Sequence, residues 1–154
     1  MTDPFPTPTS VFVGGKVITD SFGPKISLDG QTLYGIDGPT LHLWQATRTS
    51  TPAIFGPKQE IFTSADFLSG VVSADGLTLY LTDPAGTETY VVTRTLSTLA
   101  FTDTPQRVDI LNVAGKATGP EWISEDDCVL YLTSNRGGPG AKGGSDIFIS
   151  TRGQ

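Results

Sequence analysis

Short runs of alternating apolar and polar residues recur along this chain, and each run ends at a turn rich in Gly, Pro, Asp or Ser. The clearest run is Leu77–Thr82, where leucines alternate with threonines and a tyrosine. Alternation with a period of two is typical of a β-strand with one buried face. The pair Asp75-Gly76 before this run suits a tight turn, because both residues tolerate a positive φ. The pattern therefore predicts an all-β protein made of antiparallel strands.

The alternating runs fall into three sets, and residues 12–18 form a further run ahead of the first set. The predicted strands are 24–27, 32–36, 41–47 and 59–62 in the first set, 68–73, 77–82, 88–93 and 107–111 in the second, and 120–124, 128–133 and 146–151 in the third. The third set has no fourth strand. Each third strand closes on a Thr-Arg pair, which ends at Arg48, Arg94 and Arg152.

An eight-residue phrase that begins with Ser-x-Asp and ends with Tyr marks each set. It starts at Ser27, recurs 46 residues later at Ser73, and recurs again 51 residues after that at Ser124. A period near 45 residues with strands and turns inside it is typical of one four-stranded blade of a β-propeller. We therefore expect a tail over residues 1–9 and a half-propeller over residues 10–154. Its parts are a permuted outer strand at 10–23 and three blades at 24–63, 64–112 and 113–154.

Three blades are too few to close a ring, since propellers have about 4 to 8. The sequence favours a six-bladed homodimer, in which the strand near Phe12–Ile18 of each chain completes its partner's third blade and removes a free edge. The residues expected at this assembly interface are Phe12, Val13, Val17, Ile18, Ile147 and Ile149. Two alternatives stay open. The chain is half of a longer propeller, or it is an open stack that exposes an edge at Ile147–Ile149.

The third repeat resembles the TolB-type, WD-like propeller repeats that are widespread in bacteria. The residues that carry the resemblance are Pro120-Glu121-Trp122-Ile123-Ser124, Leu130-Tyr131, Ser134-Asn135-Arg136 and Asp146-Ile147-Phe148. The first two repeats keep only Ser-x-Asp-Gly and Leu-Tyr, and the resemblance covers about residues 10–152. It implies an interaction module, most often outside the cytoplasm, or the non-catalytic propeller of a peptidase. The Gly-x-Ser-x-Gly turn of the hydrolase half of such peptidases is absent from this sequence.

Composition and charge exclude several classes of binding partner. The net charge is −6 and Lys and Arg form no run, which argues against nucleic acid and anionic membrane surfaces. No apolar stretch is long enough to span a bilayer, so membrane insertion is not expected. The one cysteine, Cys128, excludes an intramolecular disulfide and is interpreted as a small buried strand residue. The expected compartment is periplasmic or extracellular if an export signal has been removed, and otherwise cytoplasmic.

The recurrent polar residues are interpreted as structural. Ser and Asp at one place in each repeat suit turns in which the carboxylate accepts hydrogen bonds from backbone N–H groups. These turn residues are Ser27, Asp29, Gly30, Ser73, Asp75, Gly76, Ser124 and Asp126. His42 is the only histidine and lies in a predicted strand. Without a second histidine, one chain cannot form a two-histidine zinc site. We expect no catalytic residue, metal or cofactor, and we expect Trp44 and Trp122 to pack between blades.

A glycine-rich insert, residues 134–145, lengthens the third repeat by seven residues between its second and third strands. Asn135, Arg136 and Lys142 are the candidate ligand-binding residues, because with the glycines they suit a nest for an anion. The favoured alternative is that Arg136 pairs with Asp146 and pins a long hairpin. Either way, the insert lies on the propeller face where loops usually carry function.

These observations favour a non-enzymatic propeller that binds a protein, peptide or glycan on this loop face. Two other functions stay open. One is an enzyme with a metal-assisted site at the channel mouth formed by both chains. The other is half of a longer propeller without an activity of its own.

Overall fold

The computed structural model describes residues 9–152 apart from 52, 64–66, 68 and 141. Most of the predicted tail, the predicted strand start at residue 68 and one residue of the glycine-rich insert therefore lie outside the described residues. The strands are β1 (Phe12–Val13), β2 (Lys16–Val17), β3 (Ser21–Ile26), β4 (Thr32–Asp37), β5 (Leu43–Thr47), β6 (Gln59–Phe62), β7 (Ser69–Val72), β8 (Thr78–Thr82), β9 (Thr89–Thr93), β10 (Gln106–Arg107), β11 (Thr118–Ile123), β12 (Val129–Ser134) and β13 (Asp146–Thr151).

All strand pairs within the sheets are antiparallel. Strands β1 and β2 form an N-terminal hairpin, β3 to β6 form sheet 1, β7 to β10 form sheet 2, and β11 to β13 form sheet 3. In sheets 1 to 3 each strand pairs with the next one in the chain, so each sheet is a simple meander. The prediction of an all-β fold is confirmed.

Two of the predicted strands are wrong in detail. The run at 12–18 is not one strand, because Gly14 and Gly15 both take a positive φ and turn the chain back on itself between β1 and β2. The run at 107–111 is not a strand either, since β10 ends at Arg107 and a short 3₁₀ helix spans Asp109–Leu111. In both places a short apolar run was interpreted as a strand, whereas the residues form a turn or a 3₁₀ helix.

The sheets pack face to face in chain order. One apolar cluster lies between the N-terminal hairpin and sheet 1, a second between sheets 1 and 2, and a third between sheets 2 and 3. The clusters contain, in that order, Val13, Leu33, Trp44, Ala46 and Phe55; then Tyr34, Ile36, Leu43, Ile61, Phe62, Leu79, Leu81, Val92 and Phe101; then Val71, Leu111, Ile123, Leu130 and Leu132. Their members are almost entirely removed from water, which supplies the main driving force for stacking the sheets.

Neighbouring positions of the second strand face opposite sides of each sheet. Leu79 lies in the cluster shared with the preceding sheet, whereas Tyr80 packs against the cluster shared with the following one. Leu33 and Tyr34 divide in the same way. The repeated Leu-Tyr pair thus supplies one side chain to each neighbouring sheet, which follows from the period of two along a strand.

The first strands of the sheets lie near one another. Strand β11 packs against β7, and the Lys25 ammonium in β3 donates to the Glu121 carbonyl in β11. Sheets 1 and 3 therefore approach each other along this inner edge although sheet 2 separates them in the stack.

Candidate functional site

The Ser-x-Asp turn has the same hydrogen bonds in all three repeats. In the second repeat, Ser73 Oγ donates to Asp75 Oδ1 at 2.6 Å and accepts from the Thr78 N–H at 2.8 Å, while the Leu77 N–H donates to the same carboxylate oxygen at 2.9 Å. The corresponding bonds in the first repeat join Ser27, Asp29, Gln31 and Thr32, and in the third repeat Ser124, Asp126, Cys128 and Val129. Each carboxylate thereby ties the turn to the strand that follows it.

Hydrogen bonding holds the pKa of each turn aspartate below its ordinary value. For Asp75 the main cause is the bond from the Ser73 hydroxyl, followed by the bond from the Leu77 amide. The same two kinds of donor, the serine hydroxyl first, lower the pKa of Asp29 and Asp126. The folded state therefore favours the ionised form of each of these three aspartates.

The third turn departs from the other two at one residue. Gly30 and Gly76 take the left-handed conformation in the first two turns, and Asp127 takes it in the third with φ of 55°. Burial raises the pKa of the Asp127 carboxyl, and the backbone of Ala74 in the second turn opposes that rise. A strained aspartate thus lies between the second and third repeats.

An arginine links each of the first two turns to a downstream loop, and it is buried in the second repeat and partly buried in the first. Arg94 Nε donates to the Gly76 carbonyl at 2.6 Å, and its guanidinium carbon lies 4.4 Å from the centre of the Phe101 ring. Arg48 repeats this arrangement with the Gly30 carbonyl at 2.8 Å and the Phe55 ring at 4.5 Å. We call each such group, an arginine with its turn glycine and its phenylalanine, an arginine socket.

The second socket receives residues from sheet 1. Arg94 Nη2 donates to Gln45 Oε1 at 3.2 Å. A Cβ placed on Gly76 would lie 3.4 Å from that nitrogen and 3.5 Å from the Tyr34 hydroxyl, so tyrosine and guanidinium meet over the turn. Burial raises the pKa of Tyr34, and the positive charge of Arg94 opposes the rise. The sequence carries a signal for the sockets, since a Phe follows the Thr-Arg pair by seven residues in both repeats.

The glycine-rich insert is anchored at its base. Arg136 Nε donates to Ser134 Oγ at 3.0 Å, and Nη2 donates to Thr118 Oγ1 at 3.0 Å and to the Leu111 carbonyl. The guanidinium also lies over the Phe148 ring, 5.2 Å from its centre. The predicted pairing of Arg136 with Asp146 is wrong, because the guanidinium donates instead to the Ser134 and Thr118 hydroxyls and to the Leu111 carbonyl.

The other two candidate ligand-binding residues have different surroundings. Asn135 Oδ1 accepts from the Ala117 N–H at 2.7 Å, which fixes the start of the insert to the segment before β11. Lys142 is exposed further along the insert. Gly140, Gly143 and Gly144 take a positive φ, so the backbone of the insert follows a path that other residues rarely adopt. Asn135 and Arg136 hold the insert, and both Asn135 and Lys142 are open to solvent.

The residues expected at an assembly interface divide between the two ends of the stack. In the N-terminal hairpin, Val13 is buried against sheet 1 and Ile18 packs on the same cluster, whereas Phe12 and Val17 are about half-exposed. At the other end, Ile147 and Ile149 in β13 are exposed by 74% and 60%.

An apolar groove and an apolar face mark these two ends. A cavity of about 300 Å³ lies between the hairpin and sheet 1, with Val17, Phe22 and Trp44 in its lining. On the free face of sheet 3, Trp122 is 51% exposed and meets the Tyr131 ring edge-on with the centroids 5.5 Å apart. Trp44 is buried between the N-terminal hairpin and sheet 1, whereas Trp122 lies on an open surface.

The histidine and the cysteine lie beside strands rather than inside them. His42 precedes β5, and its Nδ1 lies 3.2 Å from Glu60 Oε1. Cys128 precedes β12 and is half-buried, so its predicted burial within a strand is wrong. Among the residues that the structure describes, no three His, Cys, Asp or Glu side chains come together in a group that would hold a metal ion.

The described part of the chain contains no helix with the length and hydrophobicity required to cross a membrane. Comparison with known proteins finds no matching family model, no matching curated protein and no matching solved structure.

Proposed function

We propose that this chain is a non-catalytic β-propeller module that binds a protein, peptide or glycan on its loop face. In this proposal sheets 1, 2 and 3 are three blades of the TolB type. Support comes from the repeated Leu-Tyr pair, which connects each sheet to its two neighbours through the same positions, and from the inner edge where Lys25 reaches the Glu121 carbonyl. Successive sheets packed in chain order with their first strands innermost are typical of propellers.

The proposed loop face contains the connections between second and third strands. One observation carries the binding function: the longest of these connections is the glycine-rich insert, and Arg136 fixes its base with bonds to Ser134, Thr118 and the Leu111 carbonyl. A fixed base holds the loop at a defined place on a rigid scaffold, and loops placed in this way commonly carry binding residues. Lys142 and the amides of the neighbouring glycines are the groups that we expect to contact the ligand.

We further propose that two chains close one six-bladed ring. The N-terminal hairpin supports this arrangement. Gly14 N–H donates to the Phe55 carbonyl at 3.0 Å and Val13 forms a bridge with Phe55. At the second socket the bond has the opposite direction, because the Phe101 N–H donates to the Ile61 carbonyl in β6 at 2.7 Å. The hairpin therefore lies against the first arginine socket much as the outer strand of sheet 1 lies against the second. In the proposed ring the hairpin takes the position of the outer strand of a blade, and the partner's sheet 3 supplies the other three strands of that blade.

The binding function is tested by shortening the insert. Replacing residues 137–144 by the turn Pro84-Ala85-Gly86 of the second repeat removes the tip and leaves Asn135 and Arg136 in place. The intact chain and the shortened chain are screened on arrays of peptides and glycans, and their circular dichroism spectra are compared. We expect any ligand of the intact chain to be lost while the spectrum is unchanged. Equal binding by both chains would contradict a site on the insert.

A further inference from the structure

The free face of sheet 3 has a defined pattern. Trp122, Tyr131 and Ile149 are directly paired across β11, β12 and β13, and Ile147 lies further along β13 on the same side. Except for Tyr131, which is half-buried, these side chains are more than half exposed. We call these four residues the C-terminal face. A row of large apolar side chains of this kind is costly to leave in water.

The same positions of the earlier sheets are covered by the next sheet. Tyr34 and Gln45 of sheet 1 correspond in the repeat to Tyr131 and Ile149, and both are buried over the arginine socket of the second repeat. Tyr80 of sheet 2 and Arg152, which closes the third repeat, line one cavity of about 270 Å³. At the first junction within the chain Tyr34 meets Arg94, the closing arginine of the next repeat, and at the second junction Tyr80 and Arg152 lie on the walls of one cavity.

The first socket has no such neighbour within the described residues. Arg48 bonds the Gly30 and Ala53 carbonyls as Arg94 bonds those of Gly76 and Leu99. A Cβ on Gly30 would lie 3.6 Å from Arg48 Nη2, close to the 3.4 Å found for Gly76 and Arg94. Arg94, with sheet 1 over it, is 8% exposed, whereas Arg48 is only partly buried. The chain therefore carries a socket that matches its own C-terminal face.

We propose that the C-terminal face docks onto the Arg48 socket of a second copy of this chain. Tyr131 takes the place that Tyr34 has over Arg94, and Ile149 takes the place of Gln45. The occupant is a second copy because one chain carries both halves of the contact, and a two-fold axis then forms the same junction twice and leaves neither half exposed. This inference rests on the proposed ring of two chains and specifies which side chains close it.

The test uses the charge of Arg48. Ile149→Lys and Ile149→Glu both place a charge at one exposed position, but only the glutamate has a counter-charge in the proposed junction. Sedimentation equilibrium of the full chain gives the dimer dissociation constant. We expect Ile149→Lys to raise the dimer dissociation constant about 100-fold, because like charges at an interface are strongly disfavoured. We expect Ile149→Glu to raise it about 10-fold or less.

Ile110→Lys is the matched control. Ile110 is 87% exposed and lines the cavity on the opposite side of sheet 3, so its substitution should leave dimerisation unchanged. A dimeric wild type whose dissociation constant responds equally to lysine and glutamate at position 149, or to neither, would overturn the Arg48 contact alone. A monomeric wild type would overturn the proposed ring together with this contact. Circular dichroism shows whether each variant keeps the β-sheet signal of the parent.

Discussion

The Arg94 guanidinium lies over the Phe101 ring, 4.4 Å from its centre, while its nitrogens bond the Gly76 and Leu99 carbonyls. The arginine that ends one strand thus joins a turn to a loop and to the preceding sheet. A buried cation is stable only with such a full set of acceptors. The Thr-Arg pair is for this reason part of the repeat, although it looks in the sequence like the polar end of a strand.

Replacing Arg94 should be more damaging than replacing Arg48. Arg94→Met leaves Gln45 and two backbone carbonyls without a donor in a buried place, and we expect a loss of about 3 kcal/mol in the free energy of unfolding. Arg48→Met affects two carbonyls at a partly buried place, and we expect about half that loss. Urea denaturation at a low protein concentration, which favours the monomer, measures both. Equal losses would show that the contact with sheet 1 adds nothing.

Gly35→Ala should disturb the packing of Trp44. A Cβ at Gly35 would lie 2.4 Å from Trp44 Cζ2, so the buried indole must move. Overpacking of this kind costs about 1–3 kcal/mol. The same substitution at Gly137, where a Cβ meets nothing within 4 Å, is the control and should be close to neutral. Thermal denaturation compares the two variants, and an unchanged midpoint for Gly35→Ala would contradict the packing described.

Asp127→Gly should stabilise the protein by about 1 kcal/mol, because glycine adopts the left-handed conformation without the penalty that a side chain brings. Burial raises the pKa of Asp127, so the folded state favours the protonated carboxyl, and the aspartate destabilises the fold progressively as pH rises from the unfolded-state pKa through the raised folded-state pKa. The gain should therefore be larger at neutral pH than in acid. The reverse change Gly30→Asp should destabilise the first turn, where φ is 69°. Chemical denaturation at two pH values tests the pair.

Acid should weaken the Ser-x-Asp turns. The pKa of Asp75 is lower in the folded state than its ordinary value of 3.8, chiefly through the Ser73 hydroxyl. Its contribution to stability is therefore complete above the unfolded-state pKa and is lost as pH falls through the folded-state pKa. Between about pH 6 and about pH 3 the wild type should lose more stability than Asp75→Asn, which has no carboxylate to protonate. Parallel loss in the two proteins would exclude a role for this carboxylate.

Local patterns predicted much of this fold. Ser73, Asp75 and Gly76 form a turn whose hydrogen bonds involve residues at most five apart, so residue types were sufficient to suggest it. The alternation in Leu77–Thr82 likewise predicted a strand and its two faces. The predictions at 12–18 and 107–111 were wrong because a short apolar run is compatible with a strand and also with a turn or a 3₁₀ helix.

The long-range contacts could not be predicted in this way. Arg136 finds its carbonyl acceptor at Leu111, 25 residues away, and Arg94 finds Gln45 at a separation of 49. Only the packing of one sheet on the next brings these pairs together. The base of the glycine-rich insert and the arginine sockets therefore became visible only with the structure, although the arginine and phenylalanine of the sockets recur at the same spacing in the first two repeats.

Closure of one ring by two chains is the central feature of the proposed assembly. Light scattering coupled to size-exclusion chromatography of the intact chain, over a dilution series, measures this directly. We expect a single species of twice the chain mass of 16.3 kDa at high concentration, with no larger assemblies, because a closed ring leaves no end face free. A species of one chain mass throughout the series, or an open-ended series of larger oligomers, would contradict the ring.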